Sequence, residues 1–123
     1  MILVDTSVWI NHLRAVDERL TALLDAGEVL CHPFVVGELA LGNLRPRNAV
    51  LSDLRDLPQA VVAENDHVLD FIERGALFGR GIGYVDAHLL AAVRLTPEAR
   101  LWTAERRLRA AAAEFGVAAL LPH

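Results

Sequence analysis

Short apolar runs alternate along this chain with longer stretches in which apolar positions recur every three or four residues. Residues 2–5 (ILVD), 28–31 (EVLC), 60–63 (AVVA), 100–103 (RLWT) and 117–120 (VAAL) predict five short strands. Ser7 predicts the cap of a helix running to about Arg14. Leu20, Leu23 and Leu24 share one face of a second helix, capped by Asp17 and ended by Gly27. Pro33 and Gly42 bracket a third, which places Glu38 at mid-helix. Val50, Leu51, Leu54 and Leu57 mark a fourth, stopped by Pro58. Asp66 caps a fifth that carries Val68, Leu69 and Ile72. Gly79, Gly81 and Gly83 form a loop before a helix from Tyr84 to about Val93, and 104–115 is an Arg/Ala helix ended by Gly116. No linker, repeat or low-complexity segment interrupts the series. Such alternation predicts an α/β fold, a three-layer sandwich around a mostly parallel sheet of about five strands, as one domain over residues 1–123.

The same pattern isolates acids. Residues 1–13 hold Asp5 as their only acid, 29–44 hold only Glu38, and 81–93 hold only Asp86, each amid apolar sequence. A carboxylate in such surroundings is expected to be at least partly buried, and burying it unpaired costs several kcal/mol or makes it take up a proton. No Arg lies close in sequence to these acids within the apolar segments, and the chain contains no lysine. In open parallel sheets the site lies beyond the carboxyl ends of the strands. Asp5 ends the first predicted strand, and Glu105 lies just past Thr103 at the end of the fourth. Glu38 and Asp86 reach the same edge if their helices start or pass there. Each acid also has a plainer reading: Asp5 as a helix cap, Glu38 as an exposed helix residue, Asp86 as a first-turn acid, and Glu105 as part of a charged helix with Arg106, Arg107 and Arg109.

Two bare carboxylates about 5 Å apart repel by about 3 kcal/mol at an effective dielectric of 20. A cluster of four therefore calls for a cation. Oxygen donors without Cys or His at metal spacing favour Mg²⁺ or Mn²⁺ over zinc. Thr6, Ser7 and Thr103 supply hydroxyls that can hydrogen-bond the carboxylates or the waters of a bound ion. His88 is expected as a core or surface histidine, and His12, His32, His67 and His123 show no zinc-type spacing. Cys31 reads as a small buried hydrophobe, and a lone cysteine excludes an intrachain disulfide.

Composition narrows the class further. The net charge of −4 argues against a nonspecific nucleic-acid coat, though Arg45 with Arg47, and Arg106 with Arg107 and Arg109, leave room for local phosphate contact. An apolar share of 54% in 123 residues predicts a partner surface or a homodimer face. With no signal peptide and no apolar run long enough to cross a bilayer, the chain reads as cytoplasmic. A phospho-receiver domain, similar in length and alternation, needs an acid pair after the first strand and a lysine near the last, and this chain has neither.

Four segments stand out together: Asp5-Thr6-Ser7-Val8-Trp9-Ile10, Gly37-Glu38-Leu39-Ala40-Leu41-Gly42, Gly83-Tyr84-Val85-Asp86-Ala87-His88-Leu89-Leu90 and Leu101-Trp102-Thr103-Ala104-Glu105-Arg106-Arg107-Leu108. They closely resemble PIN-domain ribonucleases, in particular the VapC-type toxins of bacterial toxin–antitoxin pairs. The resemblance implies an endoribonuclease in which Asp5, Glu38, Asp86 and the acid after the last of these strands bind Mg²⁺ or Mn²⁺. That fourth position is usually Asp in the family and is Glu105 here; Asn11 stands where relatives often carry an acid. The resemblance also implies a homodimer, an RNA substrate and a cognate antitoxin that often inserts an Arg into the acidic site. Glu105 keeps open a second reading, a catalytically silent PIN-like module that binds RNA or protein.

Overall fold

A computed structural model describes residues 1–121; His123 lies outside the described residues. The elements run β1 (Ile2–Val4), α1 (Thr6–Arg14), α2 (Glu18–Asp25), β2 (Val29–Leu30), α3 (Pro33–Ala40), α4 (Arg47–Asp56), α5 (Asn65–Arg74), α6 (Tyr84–Leu95), β3 (Arg100–Trp102) and α7 (Arg106–Glu114). The sheet is parallel, in the order β2-β1-β3. Leu3 stands beside Leu30 on one side and Leu101 on the other.

Five strands were expected and three form among the described residues. The other two segments reach the sheet only as single bridges, Cys31 with Gln59 and Leu101 with Ala118. At the first edge Cys31 N donates to Pro58 O and Ala60 N to Cys31 O, but Val61 N then turns away to Thr96 Oγ1 (2.9 Å). Val61 and Val62 are consequently 45% and 49% exposed, and the run AVVA does not continue the ladder. At the far edge only Leu101 exchanges bonds with the returning chain, through Val117 O and Ala119 N.

Spatial order across the sheet, bridges included, is 59, β2, β1, β3, 118. The chain moves outward from β1 to residue 59, then jumps back across β1 to β3 and on to 118. Right-handed crossovers put α1–α4 on one face and α5–α7 on the other, with the switch point beside β1. The contacts agree: α1 meets α3 and α3 meets α4, while α5 meets α6 and both α6 and α7 meet β3. Residues 87–93 of α6 are all buried, and the Ala-rich sequence there lets the helix lie close to the sheet. Among the described residues no helix is long and apolar enough to cross a membrane.

Local chemistry differs from expectation at two helix starts. Ser7 lies inside α1; the residue at its cap is Asp5, whose side chain makes no capping bond. Asp66 sits in the first turn of α5 behind Glu64. Asp17 does cap α2 as expected, accepting from Arg19 N at 3.0 Å. Arg47 is spent on structure, donating to the carbonyls of Ala40 and Gly42 at the end of α3.

Gly75, which closes α5, is hemmed in by aromatic packing. Phe71 and Phe115 meet edge to face at 5.1 Å, with the Arg94 guanidinium over both rings. A Cβ at position 75 would stand 2.9 Å from Phe115 Cζ and 2.9 Å from the Phe71 carbonyl oxygen. Gly75→Ala is expected to cost about 1–3 kcal/mol in urea denaturation, because backbone as well as ring must yield. An unchanged midpoint would refute this tight packing.

Candidate active site

Asp5, Glu38, Asp86 and Glu105 line one cleft of about 450 Å³ together with Thr6, Ser7, Ile10, Asn11 and Ala104. Four separate parts of the chain converge there: the end of β1, the middle of α3, the start of α6 and the turn after β3.

Asp5 sits at the switch point because β1 is central in the sheet and ends there. It is 3% exposed. Its Oδ2 accepts from Ser7 Oγ at 2.6 Å and Thr103 Oγ1 at 2.8 Å, while no described side chain donates to Oδ1. Ser7 Oγ in turn accepts from Ala104 N at 3.1 Å, and Thr103 Oγ1 from Glu105 N at 3.0 Å. These two hydroxyls tie the first strand's carboxylate to the turn that carries Glu105. Ser7 thus does a different job from the cap the sequence suggested.

Glu38 is exposed, contrary to the burial its apolar neighbours suggested. α3 covers the core with Val35, Val36 and Leu39, and leaves Glu38 on its open side. Thr6 Oγ1 donates to Glu38 Oε1 at 2.7 Å and so holds it toward β1. Glu105 is exposed as well.

Asp86 is half-buried in the first turn of α6, where Oδ2 accepts from Gly83 N at 3.2 Å. Asp86 therefore both bonds the start of its helix and lines the cleft. Burial pushes its carboxyl up to about 6, against the Gly83 bond, and the charges of Asp5, Glu105 and Glu38 push it the same way. Asp86 thus feels the charge of each of the other three. The glycine loop before α6 has its own close neighbour: Gly81 has φ +75°, and a Cβ there would overlap the Arg107 guanidinium.

Among the described residues, no group of three or more acid, histidine or cysteine side chains stands at ion-binding spacing. The carboxylates share the cleft but stand apart, as like charges do. Their chemistry nevertheless fits a hard divalent ion, with four carboxylates and an unengaged Oδ1 on the most buried of them.

Among the described residues the histidines stay out of the cleft. His88 is 1% exposed, wedged edge to face between Phe34 and Tyr84 at 4.7 Å from each. His32 is fully buried, caps α3 through Nδ1, and is held down to about 4 by burial and by His88. Cys31 is a buried free thiol, raised by that burial. Asn11 is a lining residue that sequence reasoning set aside, although it lies one helical turn after Ser7 and hence on the same face of α1.

The PIN domain family matches this chain over residues 2–114. The chain is 56% identical over 118 residues to Ribonuclease VapC32 of Mycobacterium tuberculosis, in strains CDC 1551 / Oshkosh and ATCC 25618 / H37Rv. Each alignment covers 96% of this chain and 95% of the relative. Sheet order, the acids at the switch point and this similarity agree: the chain belongs to the PIN-domain family, of the VapC type.

Proposed function

We propose that this protein is a Mg²⁺- or Mn²⁺-dependent endoribonuclease and the toxin of a type II toxin–antitoxin pair. One observation carries the reading: Asp5, Glu38, Asp86 and Glu105 line a single cleft, where burial, and after it the charges of the other three, raise Asp86 to about 6. Asp5 and Asp86 would hold the ion, with Glu38 and Glu105 completing its surroundings. When bound, a divalent ion offsets charge on the scissile phosphate and acidifies a water.

The chain's own groups do the positioning. Ser7 and Thr103 hold Asp5 through Oδ2 and leave Oδ1 free to meet the ion. Thr6 engages one oxygen of Glu38 and leaves the other to orient the attacking water. Hydrolysis then forms the bond from water oxygen to phosphorus and breaks the bond to the leaving sugar oxygen.

A homodimer, a cytoplasmic location and a cognate antitoxin complete the proposal. Exposed apolar side chains such as Leu41 (90%) and Val16 (72%) suit a protein partner, and the acidic cleft suits an inserted arginine.

The test is cleavage of RNA by purified protein. Cleavage should appear with Mg²⁺ or Mn²⁺ and vanish on chelation. Failure of either ion to bind or to support cleavage would leave the silent binding module as the reading.

A further inference from the structure

We infer that the groove beside the acidic cleft carries the backbone of single-stranded RNA, with Arg109 and Arg19 as its phosphate contacts. The inference rests on the ribonuclease reading and says how that site takes its substrate.

The groove has a volume of about 460 Å³, and its walls include Val8, Asn11, Arg19, Trp102, Thr103 and Arg109. Asn11 and Ala104 line both this groove and the acidic cleft, so the two spaces adjoin. A polyanion needs such a route. The protein carries net charge −4 and gathers four carboxylates in the cleft, so the cleft alone repels a phosphodiester.

Positive charge stands next door. Arg19 is held over the Trp102 ring at 5.1 Å and by Asp17, with Nη2 to Oδ2 at 2.8 Å and Nε to Oδ1 at 3.1 Å. Those contacts fix its guanidinium at the groove wall. Arg109 has no ion pair among the described residues, and its sole side-chain bond is a long one, Nη2 to Ala104 O at 3.5 Å. Among those residues its charge is therefore uncompensated. Asp17 offsets one of the two charges, which leaves the described walls of the groove with one net positive charge. A guanidinium fork matches phosphate oxygens bidentately. Asn11, whose side chain is unbonded within the described residues, stands at the junction with a neutral donor and acceptor where an acid would add repulsion.

The experiment compares wild type with Arg109→Ala, Arg109→Lys, Arg19→Ala and a control, Arg55→Ala, on α4 at the opposite sheet edge. Steady-state cleavage is measured on a single-stranded RNA of about 12 nucleotides. Binding to the same RNA is followed by fluorescence anisotropy in an Asp5→Asn background across about 50–200 mM salt. Arg109→Ala is expected to raise KM about five- to tenfold with kcat unchanged, and to flatten the log–log salt slope by about 0.7. Arg19→Ala should move both in the same direction, Arg109→Lys should restore part of the loss, and Arg55→Ala should match wild type. Should Arg19→Ala unfold, Arg109→Ala decides alone, since its side chain makes a single long hydrogen bond among the described residues.

Unchanged KM and salt slope in Arg109→Ala, with ion-dependent cleavage intact, would overturn the groove and leave the ribonuclease reading standing. Wild type that neither cleaves nor binds RNA would remove both. Arginine variants that lose a protein partner while RNA parameters hold would assign the groove to that partner, and so overturn the proposal.

Discussion

Asp5→Asn is expected to lower RNA cleavage about a thousandfold or more while the protein stays folded. Asp5 is the one buried acid of the four, and its Oδ2 already takes two hydroxyl bonds. Asn has the same shape and offers an oxygen to Ser7 and Thr103. It loses the negative charge and puts an amide in place of the unengaged Oδ1. The stability change should stay within about 1 kcal/mol, because charge repulsion falls as one polar contact weakens. The check pairs a cleavage assay with a thermal melt. A folded variant that cleaves at the wild-type rate would remove Asp5 from the chemistry.

The second large effect is on stability. At pH 7.5 a saturating divalent ion is expected to stabilise the protein by about 2.7 kcal/mol at a hundred times its Kd. Asp86→Asn should abolish most of that gain and, with chelator present, should be the more stable protein by about 1 kcal/mol, after allowance for solvent at this half-buried group. The pH dependence follows from the sign of the shift. Asp86 titrates at about 6 in the fold against 3.8 for the free side chain. Between those values the folded state binds more protons, so its contribution to stability falls as pH rises through the window and is flat above it. His32 works the opposite way: held down to about 4 against 6.5, it destabilises the fold as pH drops through that range. The wild-type slope mixes the two. The difference between wild type and Asp86→Asn, measured from pH 4 to 8 with chelator, isolates the carboxyl, and a difference that does not grow with pH would contradict its placement.

Much of the architecture was readable because it depends on periodicity and turn chemistry. Leu20, Leu23 and Leu24 announced α2, Pro33 opened α3, and the glycine loop marked the start of α6. Asp5 stood out for a physical reason: a central parallel strand is buried on both faces, so a charge at its end must serve something. What failed needed tertiary partners. Residues 60–63 look like strand, yet Val61 N is drawn to the Thr96 hydroxyl and the ladder stops. Glu38 looked buried because its neighbours are apolar, but only part of α3 faces the core and Leu41 is left in solvent. Ser7 looked like a cap because sequence shows local competition for N–H groups and cannot show that Asp5 and Ala104 would be closer partners. Asn11 was legible in hindsight from helical spacing alone.

Crystals of the protein soaked in Mn²⁺ and measured at the manganese edge test the central claim most directly. The account predicts an anomalous peak in the acidic cleft, coordinated by Asp5 Oδ1 and Asp86, and lost in Asp5→Asn. A cleft without manganese at concentrations that support RNA cleavage, or a peak bound elsewhere on the protein, would contradict it.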